Sequence, residues 1–437
     1  MSFPNLFARK TFKWIIFFVL MFCYSSSFAS TNNKSVSNEA KGLIENYSNS
    51  ILQIRVIEKT TNKKSSIGSG FFVSPDGLIA TNYHVISSVV QSPDSYRLEY
   101  LDYLGNDGIL KIEAVDVIHD LAIVSTKEKQ PHDKSLALAE KATKKGEKIY
   151  SLGNPHDLGL TIVEGINNGL LKKTRNEKIH FTGSLNPGMS GGPTIDSSGR
   201  VIGINVSTAG NQISFLVPVK YLTSLLLNSQ AEETDITDSF KSRIEAQVFK
   251  EQTEFFSHIL SNEWDNESVW KLTLPAEVSE HIRCWGNTDT KEDRLVNRSF
   301  TNCSSEDGIY ISNEFETGKL HYSYVNISNR DLSTLHFYEI YQNAVRRSQN
   351  SSYTSKEYIS KFNCHSNFIE IAQVSWRAHT CVRRYKKYPS LYDLEVNMTM
   401  IGQPSNGVII NLSVSGIGKE MSQKLLSRFF QEITWQP

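Results

Sequence analysis

Three side chains far apart in this sequence are of the types that acyl transfer requires: the hydroxyl of Ser190, the imidazole of His84 and the carboxylate of Asp120. Ser190 stands in the stretch Ser184-Leu-Asn-Pro-Gly-Met-Ser-Gly-Gly-Pro193, where two prolines and three glycines predict a tight loop rather than a helix or a long strand. In such a loop the N–H groups of Gly188 and Ser190 can point at one oxygen while the hydroxyl faces the same spot. A Gly-Ser surface turn has the same composition, so the reading depends on a base and its orienting acid upstream.

The base lies in Gly68-Ser-Gly-Phe-Phe-Val-Ser-Pro-Asp-Gly-Leu-Ile-Ala-Thr-Asn-Tyr-His84. Two apolar strands joined by a Pro-Asp-Gly turn predict a hairpin, with His84 just past its second strand. A neutral imidazole held there is a suitable general base near neutral pH. The acid is Asp120, immediately before the apolar run Leu121-Ala-Ile-Val124. That run draws the carboxylate partly inside, where it needs a hydrogen-bond donor such as an imidazole N–H. Asp116 competes for the role, and Asp120 is preferred because it abuts the buried strand.

These residues need a scaffold rich in strands. From Ile51 to Val217, short apolar runs such as Ile51–Ile57, Gly70–Val73, Leu78–Thr81, Leu110–Ala114, Leu121–Val124, Lys148–Leu152, Val201–Val206 and Ile213–Val217 alternate with Gly, Pro, Asn and Asp. That pattern predicts an all-β barrel or sandwich, closed by a short helix from Val219 to about Asn228. Phe240, Ile244, Val248, Phe255 and Ile259 then fall near a 3.6-residue period and predict a linker helix, or the opening of a second domain, within 229–262. Strand-like runs at 308–312, 319–325, 393–401 and 407–414, with helices near 332–347 and at the C-terminus, predict an α+β domain over 263–437.

With 437 residues, two or three domains are expected, and 46 basic residues balance 46 acidic ones. No basic stripe points to nucleic acid. Arg9, Lys10 and Lys13 precede an apolar run from Trp14 to Tyr24 that ends at Ser27-Phe-Ala29, the pattern of a secretory signal over 1–29. No segment reaches the ~18 apolar residues of a spanning helix, so the expected product is exported, periplasmic or secreted, without a stable membrane span. Phe22 before Cys23 argues against lipid attachment there. The remaining cysteines, Cys284, Cys303, Cys364 and Cys381, predict two disulfides in an exported chain. Three pairings are possible, and short loop closure favours Cys284 with Cys303 and Cys364 with Cys381, each contributing ~3 kcal/mol. No metal or cofactor is expected.

Taken together, the Gly-Ser-Gly-Phe hairpin, Thr81-Asn-Tyr-His84, Asp120-Leu-Ala-Ile and Asn186-Pro-Gly-Met-Ser-Gly-Gly-Pro193 resemble the trypsin-like serine proteases, in their HtrA/Deg branch. Gly153-Asn-Pro155, Gly203-Ile-Asn205 and Phe215-Leu-Val-Pro218 extend the resemblance, which runs from about Ile51 to Leu226 in the family's order of His, Asp, Ser. It implies a pair of six-stranded antiparallel barrels over 30–228 with the site between them. It also implies a serine endopeptidase acting on protein or peptide substrates, with Gly188 and Ser190 as oxyanion donors. The primary pocket would be lined by Ser184, Asn205, Val206, Ser207, Ile213 and Phe215, none acidic, which disfavours Arg or Lys and suits a small or medium apolar side chain. Two departures stand out. Met189 replaces the aspartate or polar residue usual before the serine, and no Gly-Leu-Gly-Phe-like loop of a PDZ domain follows Leu226. The G-x-S-x-G match of an α/β-hydrolase needs a helix after the serine, whereas Pro193-Thr-Ile-Asp-Ser-Ser-Gly predicts a hairpin. A protease-like scaffold whose C-terminal domain binds a partner is the alternative from a different class.

Overall fold

Strands β1 (Ile51–Glu58), β2 (Lys63–Phe72), β3 (Leu78–Thr81), β4 (Tyr96–Leu101), β5 (Asp107–Asp116) and β6 (Leu121–Thr126) close into an antiparallel barrel in the order β1-β2-β3-β6-β5-β4. Strands β7 (Lys148–Gly153), β8 (Thr161–Leu170), β9 (Ile179–Phe181), β10 (Pro193–Ile195), β11 (Val201–Thr208) and β12 (Ser214–Pro218) close a second, in the order β10-β11-β12-β9-β8-β7. The computed structural model of the chain describes residues 36–126, 135–141, 143–231, 239–290, 295–347 and 355–436. The signal expected over 1–29 lies outside them.

Side chains alternate across a strand, and this period sorts the first barrel into two cores. Leu52, Ile54, Val56, Ile79, Ala122 and Val124 face one core, while Ile51, Leu78, Ala80, Leu121 and Ile123 face another that is continuous with Ile149, Leu152, Ile195 and Ile204 of the second barrel. Burial of β6 on both sides explains why Leu121 to Val124 reads as an unbroken apolar run. Two helices were not legible in the strand pattern. Helix α1 (Val36–Tyr47) seats Leu43 in the core shared with the second barrel, and its Glu39 accepts from the Tyr150 hydroxyl at 2.8 Å. Helix α2 (Tyr83–Gln91) begins directly after β3 and carries His84 in its first turn. Helix α3 (Val219–Ala231) closes the barrels, as expected.

Helix α4 (Ser239–Ser261) does more than link. Its buried Phe240, Ile244 and Val248 lie in the core of the first barrel, and its Phe255, Phe256 and Ile259 lie in a separate C-terminal core. The C-terminal half adds β13 (Asn266–Val269), β14 (Leu272–Pro275), β15 (Ile282–Asp289), β16 (Val296–Ser305), β17 (Ile309–Ser312), β18 (Phe315–Thr317), β19 (Leu320–Asn329), α5 (Thr334–Arg347), β20 (Asn363–Ile371), β21 (Val374–Arg384), β22 (Tyr392–Met400), β23 (Asn406–Ile417), α6 (Lys419–Gln431) and β24 (Thr434–Trp435). Seven of these strands form one antiparallel sheet, β15-β16-β19-β23-β22-β21-β20, and β17 with β18 forms a separate hairpin. Leu425 and Phe429 of α6 are buried against the large sheet. Cys284 faces Cys303 across β15 and β16, Cys364 faces Cys381 across β20 and β21, and both pairs are disulfide-bonded. Among the described residues, Cys364, His379 and Cys381 alone cluster as metal ligands could, and both sulfurs are already bonded to each other. No helix among the described residues is long and apolar enough to cross a membrane.

Candidate active site

His84 and Asp120 meet at the end of the first barrel. The imidazole Nδ1–H donates to Asp120 Oδ2 at 2.6 Å, and the His84 backbone N–H donates to Oδ1 at 2.8 Å. An ionised carboxylate only accepts, so this contact fixes the ring tautomer with its proton on Nδ1. Asp120 adopts a left-handed backbone, φ 56°, which aspartate tolerates better than most residues. Its carbonyl is held by the Asn82 amide at 2.8 Å and the Tyr83 N–H at 3.2 Å, so strand end and turn lock together. Burial of the His84 ring opposes its charge. The Asp120 carboxylate and its hydrogen bond outweigh that and hold the imidazole pKa above its ordinary value. Asp116, the rival acid, is occupied elsewhere: it accepts from His119 Nδ1 at 2.7 Å, and the His119 ring stacks on Tyr221 at 3.7 Å.

The loop bearing Ser190 comes from the second barrel and is pinned to the first. Ser69 on β2 donates its N–H to Ser190 O at 2.7 Å and its hydroxyl to Gly188 O at 2.7 Å, while Thr81 Oγ1 donates to Ser69 O at 2.7 Å. Gly191, at φ +83°, packs so closely that a Cβ there would fall 2.3 Å from both Ser69 O and Thr81 Oγ1, with Asn82 N at 2.9 Å. Only glycine fits, and the serine loop is thereby set against the residues that lead into His84. A Cβ on Gly188, at φ +97°, would likewise meet Asn154 O at 2.4 Å.

A trans peptide directs its C=O and N–H to opposite sides. Pro187 O accepts from His156 N–H at 2.9 Å, and Met189 O accepts from Gly192 N–H and from the Asn205 amide, both at 3.1 Å. The N–H groups on the other side of those peptides belong to Gly188 and Ser190, and neither has a protein acceptor among the described residues. The neighbouring N–H groups of Met189, Gly191 and Gly192 are all bonded internally, to Asn186 O, Asn205 O and Met189 O. Two donors flanking Met189 are therefore left to serve a ligand. Met189 itself is fully buried in the core that holds Leu152, Leu185, Ile195 and Leu216, so apolar packing anchors the loop.

The residues expected to line a pocket divide. Asn205 is fully buried, and its side chain is spent on structure: its amide donates to Leu152 O at 3.0 Å and to Met189 O, and its Oδ1 accepts from Ser151 and Thr194 hydroxyls at 2.7 Å each. The Asn205 side chain supports the serine loop, because a side chain bonded at both ends of its amide has no group left to face a substrate. Ser184 and Val206 are half-buried, Ser207 is exposed, Ile213 is 43% exposed and Phe215 packs against His180 with ring centroids 6.3 Å apart. The Ser190 hydroxyl donates to Val206 O at 3.4 Å. Ser69 was missed as the clamp, although its place between two glycines in the hairpin motif was the available signal. Tyr310 was missed as well. Its ring packs T-shaped against His84, and nothing in its local sequence marks it.

Residues 68–204 match the model of a trypsin-like peptidase domain. The chain is 33% identical over 170 residues to the mitochondrial serine protease HTRA2 of Bos taurus, covering 37% of this chain and 36% of that protein. It is 33% identical over 162 residues to a probable periplasmic serine endoprotease DegP-like of Bartonella henselae, covering 35% of this chain and 31% of that protein. A solved serine endoprotease from Yersinia pestis aligns with 44% of this chain and 66% of its own at 22% identity and a TM-score of 0.38. The chain thus spans about a third of the length of the curated relatives it matches. The N-terminal half, with its two closed barrels and its clamped serine loop, has the trypsin-like fold and is similar to the HtrA and DegP-like serine proteases.

Proposed function

We propose that this chain is an exported serine endopeptidase in which Ser190 is the nucleophile, His84 the general base and Asp120 its orienting acid. Ser190 Oγ attacks a substrate carbonyl while His84 Nε2 takes its proton, and the C–N bond breaks as the imidazolium returns that proton to the leaving amine. Water then repeats the sequence on the acyl-serine ester, releasing the acid and restoring Ser190. Asp120 keeps the proton on Nδ1 and stabilises the imidazolium. The oxyanion receives the N–H groups of Gly188 and Ser190, each such donor contributing ~3 kcal/mol in comparable sites. The two-point hold of Asp120 on His84, beside the clamped serine loop, is the observation that carries this reading. The Ser190 hydroxyl rests on Val206 O at 3.4 Å, a long bond that is readily given up, in keeping with catalytic hydrogen bonds that tighten only once substrate is bound. Val206, Ile213 and Phe215, with no acid among them, suit an apolar side chain at the cleaved bond.

Export is supported by the signal pattern over 1–29, by the two disulfides and by the periplasmic naming of a relative. The position of the Ser190 hydroxyl on Val206 O, away from His84, favours a second reading: a protease-like scaffold whose C-terminal half binds a partner. Fluorophosphonate labelling separates the two. The wild-type chain is expected to take the label at Ser190 and to cleave unfolded casein, and Ser190→Ala to do neither. A wild-type chain that takes no label and leaves casein intact ends the endopeptidase reading.

A further inference from the structure

The hairpin of β17 and β18 brings the C-terminal half onto helix α2, the helix that begins at His84. Ile309, Ile311 and Phe315 share a core with Tyr83, Val85, Ile86 and Val90. Polar contacts fix the register of this junction. The Tyr83 hydroxyl donates to Ile311 O at 2.9 Å, and the Gln91 amide donates to the Tyr83 and Tyr388 hydroxyls at 3.2 and 3.0 Å. Tyr310 stands at its edge. Its hydroxyl donates to Asn313 Oδ1 at 2.7 Å and lies 3.3 Å from Ser87 Oγ, one helical turn beyond His84. Held at that end, the ring meets the His84 imidazole edge-to-face, with centroids 6.1 Å apart and planes at 80°, and meets Tyr83 at 6.4 Å and 71°.

We propose that Tyr310 is a positioning residue of the active site, supplied by the C-terminal half: its ring shields one flank of the His84–Asp120 pair from water and limits rotation of the imidazole. This rests on the reading of His84 as the general base. An imidazole has one tether at Nδ1, and a single hydrogen bond leaves the ring free to tilt about it. A second ring packed T-shaped against it limits that freedom at little entropic cost, because Tyr310 is itself held in place by its neighbours. The same contact keeps water from competing for Asp120, so the carboxylate acts on the imidazole at low local dielectric. Burial raises the Tyr310 pKa and the Asp120 charge adds to the rise, so the phenol stays neutral beside the pair. On this account the C-terminal half completes the catalytic cleft, and is not a module tethered to a finished protease.

The test uses the full chain as wild type, Tyr310→Phe and Tyr310→Ala, with Tyr310→Leu in reserve where the alanine variant does not fold. Two readouts are taken. Diethyl pyrocarbonate modification of His84, located by peptide mass spectrometry and scaled to exposed His336 in the same sample, reports shielding whether or not the chain is a protease. The rate of fluorophosphonate labelling at Ser190 reports the positioning of the base. Tyr310→Ala is expected to raise His84 modification severalfold and to slow labelling roughly tenfold. Tyr310→Phe, which keeps the ring and loses only the hydroxyl, is expected to restore both close to wild type. His84 modification and labelling that are unchanged in the alanine variant overturn the proposal, and so does a phenylalanine variant as impaired as alanine. A wild-type chain that takes no label refutes the endopeptidase reading instead, and the modification rates then decide the shielding by themselves.

Discussion

Replacing Asn205 by leucine is expected to destabilise the second barrel and to displace the loop that carries Ser190. The side chain is fully buried and makes four hydrogen bonds, as donor to Leu152 O and Met189 O and as acceptor from Ser151 Oγ and Thr194 Oγ1. Leucine is close in size, so little cavity forms and the cost comes from the partners left behind. Met189 O keeps the bond from Gly192 N–H, whereas the two hydroxyls lose their shared acceptor in a dry interior. A stranded buried polar group costs about 1–3 kcal/mol, so the two together cost about 2–6 kcal/mol, a large part of an ordinary domain's stability. Urea unfolding of the wild type and of Asn205→Leu measures the loss, and fluorophosphonate labelling in the absence of urea reports the loop. The control is the triple variant Asn205→Leu, Ser151→Ala, Thr194→Val. Removing all partners of a buried bond is far less costly than removing one, so most of the lost stability should return while labelling stays slow, because Met189 O has still lost the Asn205 amide that ties it to β11. A shift under about 1 kcal/mol in the single variant, or no recovery in the triple variant, would refute this account of the loop.

Two further outcomes are expected. In the wild type, the rate of fluorophosphonate labelling should rise with pH through a midpoint above the ordinary histidine value of 6.5, because Asp120 raises the His84 pKa and only the neutral ring accepts the proton. In Asp120→Asn burial alone acts on the ring, so the midpoint should fall below that value while the rate drops roughly 10⁴-fold; a midpoint that does not move contradicts the assignment of Asp120. The same raised pKa means that the charged pair adds stability below the unfolded histidine pKa and that this contribution is lost as pH rises through the folded value. A chain ending at Gln230 loses Phe240, Ile244, Val248, Ile311, Phe315, Tyr358, Tyr385 and Tyr388 from the core around β1 and α2. It should aggregate or bind a hydrophobic dye, and a soluble fragment with a cooperative unfolding transition would show that the two halves are independent.

The strands of both barrels were legible because each is a short apolar run bounded by residues that turn the chain, and Asp120 was legible because a carboxylate against a buried strand needs a donor. The amphipathic period of 239–261 was legible too, since Phe240, Ile244, Val248, Phe255 and Ile259 are all buried. What that helix buries was not. A period of 3.6 says that one face is covered, and it is silent on whether one core or two cover it; the segment, read as a linker helix or the opening of a second domain, packs on the first barrel at one end and on the C-terminal sheet at the other. Helices α1 and α2 escaped because they are brief and stand beside strong strand signals.

Ser190, His84 and Asp120 were offered as candidates by the sequence alone, as residue types in spaced motifs that only a few chemistries use. Local pattern also reached the disulfides, because Cys284 with Cys303 and Cys364 with Cys381 each sit on neighbouring strands of one hairpin. Everything that depends on contact between distant segments was decided by the tertiary structure. The Asn205 amide holds Ser151, Leu152, Met189 and Thr194 together, and Ser69 became the clamp of a loop 121 residues away only once two barrels met. Tyr310 shows the limit most plainly: it lies 226 residues from His84 in the chain, and no pattern of neighbours encodes a contact made by packing one fold upon another.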